Sequence, residues 1–207
     1  MNNPVRRIRQ LHALAIAIGV LPAVSLVVGA LTDGLGAEPI ERITHVTGAW
    51  TLRFLLVSLA VTPARRLFGW RWLAPLRRTF GLIAFSYACL HFLTFIGIEH
   101  FFDWELILED VFKRRYVTAG FSALLCLVPL AVTSTRAMMR RLGRRWSTLH
   151  RLAYLAGILG VVHFLWLVKA DLLEPILHAA VLGLLLGSRL WLWMKRSPTS
   201  GQRLRET

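Results

Sequence analysis

Six long apolar runs, separated by short polar segments, make up most of the chain. The runs have 17 to 22 residues and cover positions 11–32, 43–64, 80–98, 117–135, 152–168 and 176–194. A helix needs about 20 mostly apolar residues to cross a bilayer. The runs are apolar on every face rather than at alternate positions, which excludes the strands of a membrane barrel. The pattern therefore predicts an all-α polytopic membrane protein, a bundle of six transmembrane helices.

The composition agrees with a chain whose solvent is lipid. Apolar residues make up 56% of the 207 residues and charged residues 17%, against about 25% charged in a typical soluble domain. A chain of this length cannot enclose so much apolar surface within its own volume. These figures exclude an ordinary soluble enzyme, a disordered chain and a disulfide-stapled secreted domain. We expect an N-terminal segment at 1–10, one transmembrane domain at 11–194 and a tail at 195–207.

The net charge of +14 is also found in nucleic-acid-binding proteins, so the position of the charges decides between partners. Eighteen of the 25 Lys and Arg residues lie in the N-terminus, the second and fourth loops and the C-terminus, whereas the other three loops hold five. By the positive-inside rule, both termini are cytoplasmic. The chain contains neither a glycine-rich dinucleotide motif nor a P-loop. We expect a membrane protein without a nucleic-acid partner.

Two histidines lie deep in apolar runs, where ionisable side chains are costly and usually functional. His91 and His163 each lie twelve residues after the start of their run, counted from Thr79 and Arg151, or about 18 Å along a helix. Both helices run in the same direction, so the two imidazoles are expected at the same depth, in the outer half of the bilayer. Two neutral imidazoles that face each other can ligate the iron of a b-type haem from both sides.

Two other interpretations of this pair stay open. Both histidines can be packing residues whose rings donate hydrogen bonds to helix carbonyls. Alternatively, His91, His163 and Arg53 can line an ion or proton pathway, since transport proteins also keep ionisable groups at depth. Arg53 lies well inside the second run and needs a partner there, such as a haem propionate, a flavin phosphate or a quinone oxygen, unless its side chain extends toward water.

His150 is a third candidate ligand, at the predicted cytoplasmic end of the fifth run. It lies thirteen residues before His163, or about 20 Å along a helix, which suits a second haem stacked across the membrane. The two rings would point about 140° apart on an ideal helix, so this interpretation needs a tilted or irregular first turn. The matching position on the third run holds Arg77 and Arg78 instead of a histidine. The alternative is an interfacial histidine near lipid headgroups.

The remaining polar candidates are expected mainly to have structural roles. His12 and His45 lie at helix ends, where either one could ligate a metal, contact a propionate or bind a quinone carbonyl. His100 lies in the acidic and aromatic outer segment 99–116, which could form a short interfacial helix, and His178 lies near the start of the sixth run. Arginines at the inner face can bind a propionate or phosphate, although they also serve as positive-inside signal. These are Arg77, Arg78, Arg144 and Arg145.

Nine short motifs follow one another along the chain. They are GLGAEP at 34–39, ITHVTG at 43–48, TP at 62–63, RRxxGL at 77–82, LHF at 90–92, KRRY at 113–116, TST at 133–135, RWxxLHRLxY at 145–154 and HFLW at 163–166. This order resembles the MsrQ family, formerly called YedZ, over about residues 11–194. That family groups with ferric reductase-like transmembrane domains and is related to the membrane core of NADPH oxidases.

The resemblance implies an electron-transfer subunit rather than a catalytic one. Electrons would pass from the quinone pool, or from a cytoplasmic flavin reductase, through b-type haem to the periplasmic molybdenum protein MsrP, which reduces methionine sulfoxide in oxidised proteins. The resemblance also implies His91, His150 and His163 as haem ligands, one or two haems, an FMN, and a place in the bacterial inner membrane. Related oxidases have two histidines on the third helix, whereas this chain has one. A ferric or other metal reductase with the same helices is the alternative.

Overall fold

A computed structural model describes residues 4–195, and these residues form nine α-helices without a strand. The helices are α1 (Pro4–Leu31), α2 (Pro39–Leu67), α3 (Leu76–Leu93), α4 (Trp104–Lys113), α5 (Arg115–Val132), α6 (Arg136–Leu142), α7 (Arg144–Leu149), α8 (Leu152–Leu167) and α9 (Leu173–Met194). The predicted tail beyond Lys195, with Arg196, Arg203 and Arg205, lies outside the described residues.

Six helical segments are long and apolar enough to cross a membrane. They are Arg6–Leu31, Pro39–Leu67, Leu76–Glu99, Arg115–Val132, Arg144–Leu167 and Leu173–Met194. Each segment contains all or most of one of the six apolar runs in the sequence. The prediction of an all-α bundle with six spans is therefore confirmed, and the chain is a multi-pass membrane protein.

Two irregular segments modify this simple pattern. A π-helical stretch, Thr94–Glu99, extends α3 beyond His91, and such stretches often occur at functional sites. On the opposite side of the bundle, the fourth loop folds into α6 and α7, which meet at Gly143 with a positive φ of 50°. His150 follows α7 directly and is separated from α8 by Arg151. The fifth span is therefore irregular at His150 and Arg151, between α7 and α8.

The core of the bundle lies between α2, α3, α5 and α8. α2 packs most extensively on α3, and α5 on α8, whereas α1 and α9 flank this group, α1 mainly against α3 and α9 against α2 and α8. Small or apolar side chains fill the centre: Leu59, Ala84 and Ala156 are each at most 1% exposed. α1 and α9 keep most of their apolar surface exposed, as expected for helices that face lipid.

Tyr87 fixes α1 against α3. Its hydroxyl accepts a hydrogen bond from the Ala23 amide at 3.0 Å and donates one to the Gly19 carbonyl at 2.7 Å. These two groups would pair with each other in a regular helix, and Pro22 interrupts the helix beside them. An inserted side chain of this kind satisfies the freed backbone groups at an interruption. The hydroxyl therefore takes part in the backbone bonding of the neighbouring helix.

The outer segment contains the short helix that its composition suggests. Asp103 caps the start of α4 by accepting hydrogen bonds from the Glu105 and Leu106 amides. Ile107, Asp110 and Val111 face inward, and α4 packs against α5. The opposite face is exposed and apolar, with Trp104, Leu108 and Phe112. α4 thus forms a cap beside the first turn of α5.

Candidate functional site

His91 and His163 lie next to each other in the structure. Their ring centroids are 6.0 Å apart and the ring planes are nearly perpendicular, at 81°. His91 lies near the end of α3 and His163 near the end of α8, so both rings are close to the predicted outer loops. The expectation that two co-directional helices bring these imidazoles to one depth is confirmed.

Backbone carbonyls hold both rings in the same way. His91 donates from Nδ1 to the Thr44 carbonyl at 3.0 Å, and His163 donates from Nδ1 to the Tyr116 carbonyl at 2.6 Å. A carbonyl oxygen only accepts, so each Nδ1 carries the ring proton and each Nε2 keeps its lone pair. A ring held in this tautomer is in the form that ligates metals. The pair therefore provides two oriented nitrogen donors.

Two glycines make room for the rings. A Cβ atom at Gly120 would lie 2.7 Å from His163 Nδ1, and one at Gly48 would lie 3.1 Å from His91 Cε1. Real Cβ contacts below 3.0 Å essentially never occur, so a side chain at position 120 would displace the ring. Because Gly48 of α2 and Gly120 of α5 have no side chain, His91 and His163 can each lie directly against the backbone of a neighbouring helix.

The rings border a large cavity, hereafter the outer cavity, of about 810 Å³. His91, His163, Gly48 and Gly120 line it, and its volume lies in the range of about 300–1,000 Å³ that is usual for ligand sites. Five charged residues also line it, four acidic and one basic. They are Glu38, Glu41, Glu99, Asp171 and Lys169.

His45 is a third histidine of the outer cavity, although its sequence position predicts mainly a structural role. It lines the cavity, and its ring meets Phe164 edge-on with the centroids 5.7 Å apart. The sequence does contain a signal for this place in the cavity. His45 lies three residues before Gly48, and residues three apart share one helix face. His45 is therefore close enough to contact a ligand of the pair.

His150 lies in a separate and smaller cavity, hereafter the inner cavity, of about 260 Å³. Its Nδ1 donates to the Trp146 carbonyl at 3.1 Å, and its ring stacks on the Trp146 indole at 3.9 Å between centroids. Among the described residues that line the inner cavity, His150 is the only histidine. Leu55 and Leu127 line both cavities, so one layer of leucines separates them.

The inner cavity is strongly basic. Arg65, Arg77 and Arg78 line it together with the hydroxyl-bearing Ser58 and Thr62. Arg77 and Arg78 were expected at this end of the bundle, and the structure places them there. The two other expected arginines, Arg144 and Arg145, are not among the described lining residues, because they belong to α7, whose Trp146 and following His150 face the cavity instead.

Arg53 has a protein partner, Glu174 of α9. Its Nη2 lies 3.5 Å from Glu174 Oε1, and its guanidinium lies over the Trp50 ring at 5.1 Å. The two side chains are 40% and 45% exposed, on the face between α2 and α9. A charge at this depth requires such a partner, and Glu174 provides it.

The other histidines lie outside the outer cavity. His12 shares a hydrogen bond with the Thr79 hydroxyl at 2.7 Å, and His178 donates to the Glu174 carbonyl at 2.7 Å. His100 is almost fully buried beside Asp110, with Nε2 to Oδ2 at 3.1 Å. Within residues 4–195, no group of three or more His, Cys, Asp or Glu side chains is arranged to hold a metal ion. The His91–His163 pair is thus a donor set of two nitrogens.

Comparison with known proteins agrees with this arrangement. Residues 47–161 match the model of the family described as "Ferric reductase like transmembrane component". A Herminiimonas arsenicoxydans protein is 49% identical over 191 residues, which cover 90% of this chain and 88% of the relative. A Rhodospirillum rubrum protein is 59% identical over 157 residues, 75% of this chain and 76% of the relative. An Azospira oryzae protein is 49% identical over 187 residues, 88% and 80% of the two chains.

All three relatives carry the name "Protein-methionine-sulfoxide reductase heme-binding subunit MsrQ". No solved structure matches the chain. The identities lie far above chance over nearly the whole length, and the matched family model covers more than half of the residues. The chain therefore belongs to the MsrQ family, within the ferric reductase-like transmembrane proteins.

Proposed function

We propose that the protein binds a b-type haem between His91 and His163 and carries electrons across the membrane for a methionine sulfoxide reductase system. The relatives are named as heme-binding subunits of such a system. The observation that carries the proposal is the arrangement of the two imidazoles, whose Nε2 lone pairs are both available beside one large cavity. A transport function would not require two rings fixed in the metal-binding tautomer.

The residues fit a haem iron by distance and by space. An imidazole nitrogen binds a metal at about 2.0–2.1 Å, so two rings on opposite sides of one ion have centroids about 6.3 Å apart. The observed separation is 6.0 Å. Gly48 and Gly120 leave the space that both rings need. The separation of the two rings therefore matches the value expected for two imidazoles that bind one metal ion.

When bound, a haem supplies a one-electron redox centre, and the protein sets its properties. Thr44 and Tyr116 accept the Nδ1 protons of the two histidines. Such bonds fix the ring orientation and increase the basicity of the ligating nitrogen, which stabilises the oxidised iron. Apolar groups form most of the cavity wall. His45 is placed to bind a polar substituent at the edge of the ligand.

We assign a second, anionic group to the inner cavity, with His150 as its nitrogen ligand or hydrogen-bond partner. Arg65, Arg77 and Arg78 line this cavity and favour a phosphate or carboxylate group. FMN, which the family resemblance implies, carries a phosphate, and a second haem carries propionates. The volume of about 260 Å³, against about 810 Å³ outside, favours the smaller occupant.

The distribution of charge supports an orientation of the chain, and the donor and acceptor that the family resemblance implies then set the electron flow from the inner to the outer side. We place both termini in the cytoplasm of a bacterium and the chain in the inner membrane, following the positive-inside rule. The quinone pool or a cytoplasmic flavin reductase then serves as donor, and periplasmic MsrP as acceptor. The mouth of the outer cavity has four carboxylates against one lysine, a charge pattern that can steer a partner with a basic surface.

Absorption spectroscopy of the detergent-purified protein tests the haem assignment. We expect a Soret band and about one haem in the outer cavity of each protein molecule. We expect His91→Ala and His163→Ala to lose that haem. His178→Ala is the matched control, because His178 lies close by, in contact with Phe164, but outside the cavity. Full haem content in both His91→Ala and His163→Ala would overturn the assignment of haem to this pair. Faster transfer to free Fe(III) than to MsrP would assign a metal reductase instead.

A further inference from the structure

The outer end of the bundle contains a buried polar network that the proposed electron-transfer function does not by itself require. His100 and Asp110 form its centre, and their side chains are only 9% and 12% exposed. Buried ionisable groups are costly unless they are paired and hydrogen-bonded. Their position beside the outer cavity, rather than at the surface, therefore calls for a role.

The network joins the ends of three helical segments. His100 Nδ1 donates to the Phe95 carbonyl at 3.1 Å, in the π-helical stretch that continues α3 beyond His91. His100 Nε2 donates to Asp110 Oδ2 of α4 at 3.1 Å. Asp110 Oδ1 forms an ion pair with Arg114, at 2.9 Å from its Nε. Both carboxylate oxygens are thus engaged.

Arg114 carries the network onto α5. This residue lies between the end of α4 and the start of α5, and its Nη1 donates to the Tyr116 hydroxyl at 3.1 Å. The Thr118 hydroxyl ties the same corner by donating to the Val111 carbonyl at 2.6 Å. Together these bonds fix the position of the first turn of α5 relative to α4.

Tyr116 is the residue that links this corner to the histidine pair. Its hydroxyl accepts from Arg114, and its backbone carbonyl accepts from His163 Nδ1 at 2.6 Å. The same network also holds Phe95, four residues beyond His91. One network, with His100 and Asp110 buried and Arg114 half exposed, therefore contacts the continuation of the His91 helix and the residue that orients His163.

We propose that His100, Asp110 and Arg114 are positioning residues that hold the Tyr116 carbonyl against His163 and thereby set the redox potential of the group that His163 binds. The proposal rests on the proposed haem function. A firm hydrogen bond from Nδ1 makes the ligating nitrogen more basic and favours the oxidised iron. A loosened bond favours the reduced iron and weakens the hold on the ring.

The test is spectroelectrochemical titration of the full-length, haem-loaded protein. In Asp110→Asn we expect the haem midpoint potential to move to a more positive value and the haem affinity to fall about 10-fold, as found for partners of metal-ligating histidines. Tyr116→Phe removes only the hydroxyl and keeps the ring and the backbone carbonyl. We expect it to move the potential in the same direction, by less.

Glu109→Gln is the matched control. Glu109 neighbours Asp110 on α4, and its hydrogen bond and ion pair are with Lys113 at the surface. This bond lowers the pKa of Glu109, and the charges of Lys113 and, to a smaller extent, Arg114 add to the effect. The variant therefore removes a surface charge one residue away, and its potential should equal that of the wild type.

The outcomes separate this inference from the function on which it depends. A wild-type protein that binds no haem would defeat the proposed function. Haem-loaded Asp110→Asn and Tyr116→Phe proteins with wild-type potentials and unchanged ferric spectra would defeat the positioning role alone. If Asp110→Asn does not fold, Tyr116→Phe decides, because it leaves the contacts of Asp110 with His100 and Arg114 intact.

Discussion

The outer and inner cavities share a wall of Leu55 and Leu127, yet they differ in size and in chemistry. The outer cavity, of about 810 Å³, has three histidines and carboxylates at its mouth. The inner cavity, of about 260 Å³, has one histidine and three arginines. Neutral imidazoles suit a metal, whereas guanidinium groups suit an anion. The same helices therefore present two different kinds of site at their two ends.

The two cavities also differ in how their histidines are held. His91 and His163 donate to carbonyls that lie 47 residues away in the chain, on α2 and α5. His150 donates to the Trp146 carbonyl four residues before it. The outer rings are therefore positioned by packing between helices, and the inner ring by its own local turn. Changes in helix packing should affect the outer site more strongly.

Filling the space beside His163 should have the largest effect on haem affinity, and it should disrupt only the outer site. In Gly120→Ala the new Cβ would lie 2.7 Å from His163 Nδ1, and overpacking of this kind costs about 1–3 kcal/mol. We expect haem affinity to fall about 10–100-fold, measured by haem titration of the purified protein. Gly48→Ala, with a contact of 3.1 Å, should cost less.

Gly187→Ala provides the control for helix propensity, because a Cβ there meets no atom within 4 Å. It should bind haem as the wild type does. Equal haem affinity in Gly120→Ala and Gly187→Ala would show that close approach of the backbone to His163 is unimportant.

A change at an inner arginine should affect only the inner site. Arg77→Gln removes a charged hydrogen-bond donor, and such bonds contribute about 1.5–3 kcal/mol. We expect the affinity for FMN to fall about 10-fold or more, by titration monitored through flavin fluorescence, with the Soret band of the outer haem unchanged. Arg144→Gln, outside the cavity lining, should retain wild-type flavin affinity. Loss of the outer haem in Arg77→Gln would contradict two independent sites.

A change at a residue that lines neither cavity should have the smallest effect. Tyr87→Phe removes the hydroxyl that bonds Ala23 and Gly19, and side-chain hydrogen bonds inside membrane proteins average about 0.6 kcal/mol. We expect about 1 kcal/mol of lost stability, measured by thermal unfolding in detergent, with unchanged haem and flavin binding. A loss of haem in this variant would show that packing of α1 controls the outer site.

The sequence predicts which helices hold the site residues and how deep these residues lie in the membrane. It does not predict which groups contact them. Uninterrupted apolar runs predict the six spans, and equal offsets along co-directional helices predict that His91 faces His163. The carbonyls of Thr44 and Tyr116, the place of His45 and the buried pair of His100 with Asp110 depend on how distant helices approach one another. Arg53 likewise finds Glu174, 121 residues away, which no local pattern indicates.

Low-temperature electron paramagnetic resonance of the oxidised, purified protein tests the central assignment most directly. Ligation by both His91 and His163 predicts a low-spin ferric signal in the wild type and in His150→Ala. The iron that remains in His91→Ala or His163→Ala should become high-spin, because one axial nitrogen is lost. An unchanged low-spin signal in both of these variants, at full haem content, would contradict ligation by this pair.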